Sequence, residues 1–473
     1  MSMPGPSDEE LHAALIEASE WVATYLRSVG DRPVLAQVSP GDIAAALPEH
    51  PPRQGEPLDA ILADFDRLIL PGITHWNHPS FFAYFGITGS GPGIVAELLS
   101  AALNVNAMLW RTSPAATELE GRTIAWMMEL MGLPTTWFGQ ITDTASTSTL
   151  TALAAAREAA GLEIRERGMA GRGDLPSLRV YASAEAHSSV EKACIALGLG
   201  QKGLCKVETD EAYRLRPDRL AEAIAGDVAA GVRPIAVVAT VGTTTTTSVD
   251  PVPEIARLCA DHGLWLHVDA AYGGAAALVP ECRPQLAGCE LADSLVVNPH
   301  KWLLTPVDCS VLVTAHPEVL RRAFSVVPFY LTSSESDVVN LMDYGTALGR
   351  RFRALKLWFV LRAYGADGLA EILAGHIALA QELAARVEAD PEWELLAPVP
   401  FSTVCFRRHP PGLDNEDELR RLNTELVERI NGSGVALVSH AEVGRRYAIR
   451  VAIGNAATRG QHVQRLWDEL CGG

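Results

Sequence analysis

Between residues 178 and 314 the chain alternates short apolar runs with amphipathic stretches. The apolar runs are rich in β-branched residues and end at polar or small residues, which is typical of buried strands. Strands that alternate with helices predict an α/β domain with a largely parallel sheet. The predicted strands are Leu178–Ser183, Leu204–Glu208, Ile235–Val241, Leu264–Asp269, Ser294–Val297 and Ser310–Thr314, and the predicted helices are Ser189–Leu199, Pro217–Ala230 and Val252–His262.

Two of these strands end next to ionisable side chains. Asp269 ends one strand, and Lys301 follows the next, which Asn298-Pro299 terminates. Ligands of parallel α/β sheets bind at the carboxyl ends of strands. Burial or a neighbouring cation lowers the pKa of a lysine, and the neutral amine can form a Schiff base with an aldehyde cofactor. A lysine after a histidine is usually only a surface residue, but together with a carboxylate that keeps a pyridine nitrogen protonated it suits pyridoxal phosphate.

A run of hydroxyl side chains, Thr142–Thr149, precedes an alanine-rich stretch that predicts a helix over residues 150–160. Free backbone N–H groups and hydroxyl donors at a helix N-terminus form an anion site. Ordinary N-capping is the alternative, but the run holds more hydroxyls than a cap requires. A second hydroxyl run, Thr243–Ser248, follows another predicted strand on the same edge of the sheet. His187, between a strand and a helix, is either structural or stacked on a planar cofactor.

The flanking regions have different patterns. Residues 8–30 and the stretch ending near Leu70 predict two helices, and the segment His75–Phe85 concentrates aromatic rings, which suits either core packing or a pocket for a flat substrate. Residues 325–346 lack periodicity and predict a loop that could cover a site. A long helical region follows, broken near Gly365. The C-terminal part predicts a small α+β unit, with strands at 403–407, 435–440 and 447–453 and helices at 416–430 and 460–470.

Composition excludes several function classes. The net charge of −18 argues against nucleic acid or an anionic membrane as a partner. No apolar run has the length of a membrane span, and the acidic N-terminus does not resemble a signal peptide. The eight cysteines are scattered without metal-ligand spacing, so we expect reduced thiols, a cytoplasmic protein and no bound metal.

Four motifs together resemble the group II pyridoxal-phosphate decarboxylases, the family of aromatic-L-amino-acid decarboxylase. The motifs are Asn298–Trp302, His267–Tyr272, Ala186–Glu191 and Leu348–Arg353, and the resemblance covers nearly the whole chain. It implies a fold-type I enzyme with an N-terminal helical segment (1–85), a large cofactor-binding α/β domain (86–360) and a small α+β domain (361–473). It also implies a homodimer with the active site at the subunit interface.

The resemblance assigns roles to individual residues. Lys301 would bind the cofactor aldehyde covalently, Asp269 would pair with the pyridinium nitrogen, and His187 would stack on the ring. Tyr330 aligns with the loop tyrosine that protonates the product carbon. The remaining implied contacts are Thr144, Ala145, Ser146, Thr244, Ala271, Asn298 and His300 to the cofactor, and Trp76, Tyr84, Phe85 and Gly349 to the substrate.

The implied activity is decarboxylation of an aromatic L-amino acid (tryptophan, tyrosine, phenylalanine or dihydroxyphenylalanine) to the arylethylamine and CO2. Gly86-Ile87 replaces the Pro-Thr of the animal enzymes and removes a hydroxyl, so we expect an apolar or indole ring to fit at least as well as a catechol. One alternative is an aldehyde synthase of the same family, in which phenylalanine typically replaces the loop tyrosine. A decarboxylase of a non-aromatic amino acid is a second alternative, and a catalytically silent dimer is a third.

Overall fold

The computed structural model describes residues 5–326 and 338–472. The N-terminal part is helical, as the apolar spacing predicts. Helix α1 begins after Ser7, whose hydroxyl accepts the N–H of Glu10 in a capping box. The first helices are α1 (Asp8–Ser28), α2 (Asp42–Ala46), α3 (Leu58–Asp64), α4 (Gly91–Leu103) and α5 (Pro114–Met131).

A seven-stranded sheet forms the centre of the molecule. In spatial order its strands are β1 (Phe138–Thr142), β7 (Ser310–Thr314), β6 (Ser294–Val297), β5 (Trp265–Asp269), β4 (Arg233–Thr240), β2 (Leu178–Ser183) and β3 (Leu204–Val207). Strands β2 to β6 are parallel, and β7 runs antiparallel to both of its neighbours. The predicted α/β architecture with a mostly parallel sheet is therefore confirmed.

Helices cover both faces of this sheet. They are α6 (Ala145–Ala159), α7 (Ile164–Arg167), α8 (Ser188–Ala196), α9 (Pro217–Ala229), α10 (Val252–His262), α11 (Pro299–Trp302) and α12 (Pro317–Phe324). Side chains of β4 alternate between two apolar cores: Val237 and Ala239 pack with α9 and α10, whereas Ala236 and Val238 pack with α6 and α8. Such burial on both faces explains why the strands are continuous apolar runs.

The C-terminal part is a second, antiparallel sheet covered by helices. Its strands, in spatial order, are β10 (Ser439–Val443), β11 (Arg446–Ala452), β9 (Thr403–Arg408) and β8 (Trp393–Leu395), and its helices are α13 (Ala354–Ala389), α14 (Glu416–Ser433) and α15 (Gly460–Cys471). Helix α13 is kinked at Gly365, where φ is +66°, close to the predicted break. The predicted domain boundaries at 85/86 and 360/361 remain predictions.

Three sequence predictions needed correction. Strands β1 and β8 were not predicted, because both are short and carry polar residues, and only pairing with β7 and β9 defines them. The strand predicted at 435–440 lies at Ser439–Val443. Helix α6 begins at Ala145 rather than at 150, so the hydroxyl run forms its first turns instead of preceding it.

The N-terminal segment also joins the second sheet. Phe82 donates its N–H to the Leu437 carbonyl and accepts the N–H of Ala452, so residues 81–85 run beside the C-terminal strands. This pairing brings the turn at Tyr84 and Phe85 next to Arg450 of β11. Within the part of the chain that the structure describes, no helix is both long and apolar enough to cross a lipid bilayer.

Candidate active site

Sheet register brings the predicted site residues together at the carboxyl ends of the strands. Asp269 pairs with Thr240 of β4 and with Val296 of β6. Leu266 and Val268 belong to the core shared with α9 and α10. Because side chains alternate along a strand, Asp269 points to the opposite face of the sheet, where α6 lies.

A cavity of about 160 Å³ lies at this edge of the sheet. It gathers eleven of the fifteen residues assigned from the sequence, including Lys301, Asp269 and His187. The residues that line it are Phe85, Thr144, Ala145, Ser146, His187, Thr240, Gly242, Thr244, Asp269, Ala271, Tyr272, Asn298, His300 and Lys301.

The surroundings of Lys301 favour the neutral form of its amine more than water does. Asn298 begins the short helix α11, and one turn later the backbone N–H of Lys301 donates to the Asn298 carbonyl. The Lys301 Nζ lies 5.0 Å from the centroid of the Phe85 ring. Burial lowers the pKa of Lys301, Asp269 counteracts this shift, and the cation of Arg450 lowers the pKa further. A lowered pKa increases the fraction of amine that can attack an aldehyde.

Asp269 supplies the negative charge of the cavity. It is buried, and its Oδ1 accepts the backbone N–H of Ala271 at 3.1 Å. This bond fixes the carboxylate at the strand end. Thr240, its neighbour in the sheet, is also buried, and the Thr240 hydroxyl has no hydrogen-bond partner among the described residues. A carboxylate in this position can pair with a protonated pyridine nitrogen.

His187 occupies the N-cap position of α8, and its ring orientation follows from that position. Its Nδ1 accepts the backbone N–H of Ser189 at 3.2 Å, which leaves the proton of a neutral ring on Nε2. Desolvation lowers the pKa of His187, Asp269 opposes the shift, and Lys301 adds to it. The ring is therefore neutral near pH 7 and can lie against a planar ligand while keeping one N–H to donate.

A further part of the cavity lining, at the start of α6, suits a phosphate. Helix α6 begins there, with Thr144 at the N-cap and Ala145 and Ser146 in the first turn, where backbone N–H groups lack intrahelical acceptors. His300 accepts the N–H of Cys309 on Nδ1, and burial lowers its pKa to about 4, so its Nε2–H is a neutral donor. The buried Asn298 amide adds its NH2 as a further donor, whereas its side-chain oxygen, which has no partner among the described residues, can only accept. This set of donors fits the phosphate of pyridoxal phosphate.

Three assigned residues do not line the cavity in the single chain. Trp76 stacks on Phe81, with ring centroids 4.4 Å apart, and on Tyr84 at 5.8 Å, and Tyr84 is 61% exposed. A Cβ at Gly349 would approach only the side chain of Asn106, at 3.9 Å. Tyr330 lies outside the described residues. The substrate-contact roles of Trp76, Tyr84 and Gly349 therefore stay predictions.

The sequence analysis missed four residues of the site. Thr240, Gly242 and Tyr272 line the cavity, and the guanidinium carbon of Arg450 lies 4.6 Å from the centroid of Phe85. Two signals were available. Gly242 directly follows a predicted strand, where a glycine indicates a close backbone approach, and in the structure a Cβ there would come 3.0 Å from the Gly273 backbone nitrogen. Arg450 is a charged residue placed between two apolar residues of its strand, Ile449 and Val451.

Comparison with known proteins gives concordant results. Residues 40–409 match the family described as "Pyridoxal-dependent decarboxylase conserved domain". The chain is 41% identical over 465 residues to tyrosine decarboxylase 4 of Petroselinum crispum, covering 95% of this chain and 90% of that protein. It is 40% identical over 459 residues to a phenylacetaldehyde synthase of Arabidopsis thaliana, covering 95% and 92% respectively.

Among solved structures, the fold is similar to that of Oryza sativa TDC with PLP and tryptamine. The TM-score is 0.95 at 36% sequence identity, and the superposition covers 99% of this chain and 98% of that one.

Proposed function

Because the chain belongs to the pyridoxal-dependent decarboxylase family, we propose that it decarboxylates an aromatic L-amino acid to the corresponding arylethylamine and CO2. Pyridoxal 5′-phosphate is its cofactor. The tyrosine decarboxylase and the tryptamine-containing structure among its relatives support an aromatic substrate.

One observation carries the proposal: a lysine with a lowered pKa, a buried carboxylate, a neutral histidine and a helix N-terminus line the same cavity. A silent binding protein has no need of a lysine with a lowered pKa beside a carboxylate. The third alternative from the sequence, a catalytically inactive dimer, is therefore disfavoured.

Each residue then has a chemical task. Bound pyridoxal phosphate supplies the ring that accepts the electrons of the breaking Cα–carboxylate bond. Lys301 would hold the cofactor aldehyde and would give up that bond to the substrate amine. Asp269 would keep a negative charge beside the ring nitrogen. His187 would cover the ring and, with Tyr330, is a candidate donor of the proton that Cα receives. Holding the scissile bond perpendicular to the ring contributes through orientation, which can be worth about 7–11 kcal/mol.

The assigned contacts form three groups. Thr144, Ala145, Ser146, Asn298 and His300 would hold the phosphate. Thr244 and Ala271 would make further contacts to the cofactor, and Phe85 would line the substrate pocket. Their common position around one cavity supports these assignments.

The aldehyde synthase is the second candidate, because the chain is as similar to a phenylacetaldehyde synthase as to tyrosine decarboxylases. Both reactions begin with loss of CO2, and they differ in whether Cα is protonated or oxidised. Tyr330 offers a proton donor and therefore favours the amine product. A non-aromatic amino acid substrate is less well supported, given the aromatic segment His75–Phe85.

We also propose that the enzyme is a cytoplasmic homodimer. Helix α1 has no buried residue, and Leu11, Leu15 and Ile16 on it are each nearly half exposed. On α4, Val95, Leu98, Leu99 and Leu103 are between 44% and 59% exposed. Apolar side chains clustered on exposed helices support burial by a second copy. The eight cysteines, all free thiols, support a reducing compartment.

A product assay tests the function. Purified protein with pyridoxal phosphate is incubated separately with L-tryptophan, L-tyrosine, L-phenylalanine and L-dihydroxyphenylalanine, and products are resolved by mass spectrometry. We expect the amine, with tryptophan or phenylalanine used at least as well as dihydroxyphenylalanine. Aldehyde with ammonia would replace the proposal by the second candidate, and no product from any of the four would overturn the aromatic substrate.

Light scattering after size exclusion tests the dimer. The wild type is expected at twice the mass of the chain, and Leu98→Glu with Leu99→Glu is expected to yield a monomer with reduced activity. A wild-type monomer with full activity would overturn the proposed assembly.

A further inference from the structure

Arg450 is a buried arginine that no carboxylate neutralises within residues 5–326 and 338–472. It is 4% exposed, its Nε donates to the Thr245 carbonyl at 2.9 Å, and its Nη1 donates to the Tyr84 carbonyl. Its Nη2 is buried and has no hydrogen-bond partner among these residues. An uncompensated buried charge is destabilising. A fold that keeps such a charge next to a cavity indicates a functional role.

The two carbonyls belong to two different chain segments that border the cavity. Thr245 directly follows Thr244, and Tyr84 directly precedes Phe85, and both Thr244 and Phe85 line the cavity. The planar guanidinium has donors spread widely enough to bind both carbonyls at once. One side chain of β11 therefore ties these two segments together.

The Tyr84 turn requires external support. Its φ of 54° lies in the left-handed region, which is unfavourable for a residue with a Cβ. The bond from Arg450 holds this turn, and Phe85 follows it. Phe85 stacks on Tyr272, with ring centroids 3.8 Å apart, and Tyr272 stacks on Trp302 at 4.6 Å. Trp302 is the neighbour of Lys301, so this column of rings links the turn to the cofactor lysine.

Taking the cofactor site proposed above as the premise, we propose that Arg450 is a positioning residue of the active site, which from the C-terminal sheet holds the Phe85 turn and the Thr244 loop against the bound cofactor. Its charge has a second consequence. Arg450 lowers the pKa of Lys301, so its removal should make the lysine nitrogen easier to protonate.

The experiment uses the holoenzyme without substrate. The first variant, Arg450→Met, removes the charge and both hydrogen bonds to the carbonyls. The second, Arg450→Lys, keeps the charge but can bond to one carbonyl at most. Arg407→Met is the control, because Arg407 is equally buried in the neighbouring strand β9 but is paired with Glu394 and Glu416. Three properties are measured: the visible circular dichroism of the bound cofactor, the pH midpoint of its absorbance change, and the dissociation constant for pyridoxal phosphate.

For Arg450→Met we expect a weaker visible dichroism, a pH midpoint raised by about half a unit, and cofactor binding weakened about tenfold through the lost charge-assisted bonds. Arg450→Lys should keep the midpoint but lose dichroism, and Arg407→Met should lower the thermal midpoint while leaving all three cofactor properties unchanged.

Wild-type values in both Arg450 variants would overturn the proposal, as would equal changes in the Arg407 control. If Arg450→Met does not fold, the visible dichroism of Arg450→Lys tests the proposal: a weaker signal supports it, and a wild-type signal overturns it. None of the measurements depends on turnover. A wild type that binds pyridoxal phosphate without releasing CO2 would therefore overturn the proposed function and leave this test valid.

Discussion

Lys301 lines the cofactor cavity, and Lys356 belongs to an ionic cluster beside α4. Both lysines are enclosed by protein, but they differ in whether a carboxylate lies at contact distance. In the ionic cluster (Glu97, Asp308, Arg353 and Lys356), Lys356 is 2% exposed and pairs with Glu97 and with Asp308. In the cavity, Lys301 has no ion pair with any described residue, and burial lowers its pKa. Carboxylates at contact distance favour the charged form of a buried lysine. Burial without such a contact favours the neutral amine, which is the nucleophilic form.

The largest expected effect is at Lys301. Lys301→Ala should reduce CO2 release by about 10⁴-fold, because no other lysine among the described residues lines the cavity to hold the cofactor. Borohydride reduction followed by intact-mass measurement should show the reduced cofactor on the wild type and none on the variant. Lys192→Ala, which removes an exposed lysine of α8 outside the cavity lining, is the control and should keep activity. Activity within tenfold of wild type in Lys301→Ala would contradict the assignment.

Removing the other lysine should affect stability rather than chemistry. Lys356→Met removes a buried partner of Glu97 and Asp308, but Glu97 keeps Arg351 and Asp308 keeps Arg353, so the free energy of unfolding should fall by about 2 kcal/mol. Urea unfolding gives the stability, and visible absorbance should show that the folded variant still binds cofactor. A loss of cofactor binding without a loss of stability would contradict the assignment of a purely structural role to Lys356.

Asp269 sharpens the comparison, because it is the one carboxylate that lines the cavity in the described part of the chain. Asp269→Asn should lower kcat by about 100-fold, since the ring nitrogen loses the charge that keeps it protonated. Steady-state kinetics with a saturating cofactor concentration measures this loss. A change in KM alone would indicate that Asp269 only shapes the pocket.

A smaller effect is expected on the pH dependence of stability, where a histidine of the cavity is compared with one elsewhere in the core. Burial lowers the pKa of His300 and of His376 from 6.5 to about 4. Between these values the unfolded chain binds a proton that the folded chain does not, so stability falls as the pH is lowered from 6.5 to 4, by up to about 1.4 kcal/mol per pH unit for each histidine. Each His→Gln variant should remove its own share of this slope in urea titrations.

Only His300→Gln should also weaken cofactor binding, because His376 bonds Trp302 and the Asn455 carbonyl, away from the cavity lining. Equal cofactor affinity in the His300→Gln and His376→Gln variants would contradict the assignment of His300 as a phosphate contact.

Much of the fold could be predicted because the relevant signals are local. Buried parallel strands are uninterrupted apolar runs, and the predicted strands at Leu178–Ser183, Ser294–Val297 and Ser310–Thr314 agree with the observed boundaries. Lys301, Asp269 and His187 could be identified because each stands at the end of such a run or within a recognisable motif. Strand β1 escaped prediction because its five residues, Phe138–Thr142, include Gly139 and Gln140 and form a strand only through pairing with β7.

The sequence by itself determined the α/β alternation, the lysine and carboxylate at neighbouring strand ends, and the hydroxyl-rich helix start, because hydrophobic period and turn chemistry are set by adjacent residues. Only the tertiary structure decided that Arg450 reaches Tyr84 and Thr245, and that Lys301 forms no ion pair with a described residue whereas Lys356 forms two. Those outcomes depend on contacts between distant segments, and the burial and pairing of a charge are properties of its surroundings rather than of its neighbours in the chain.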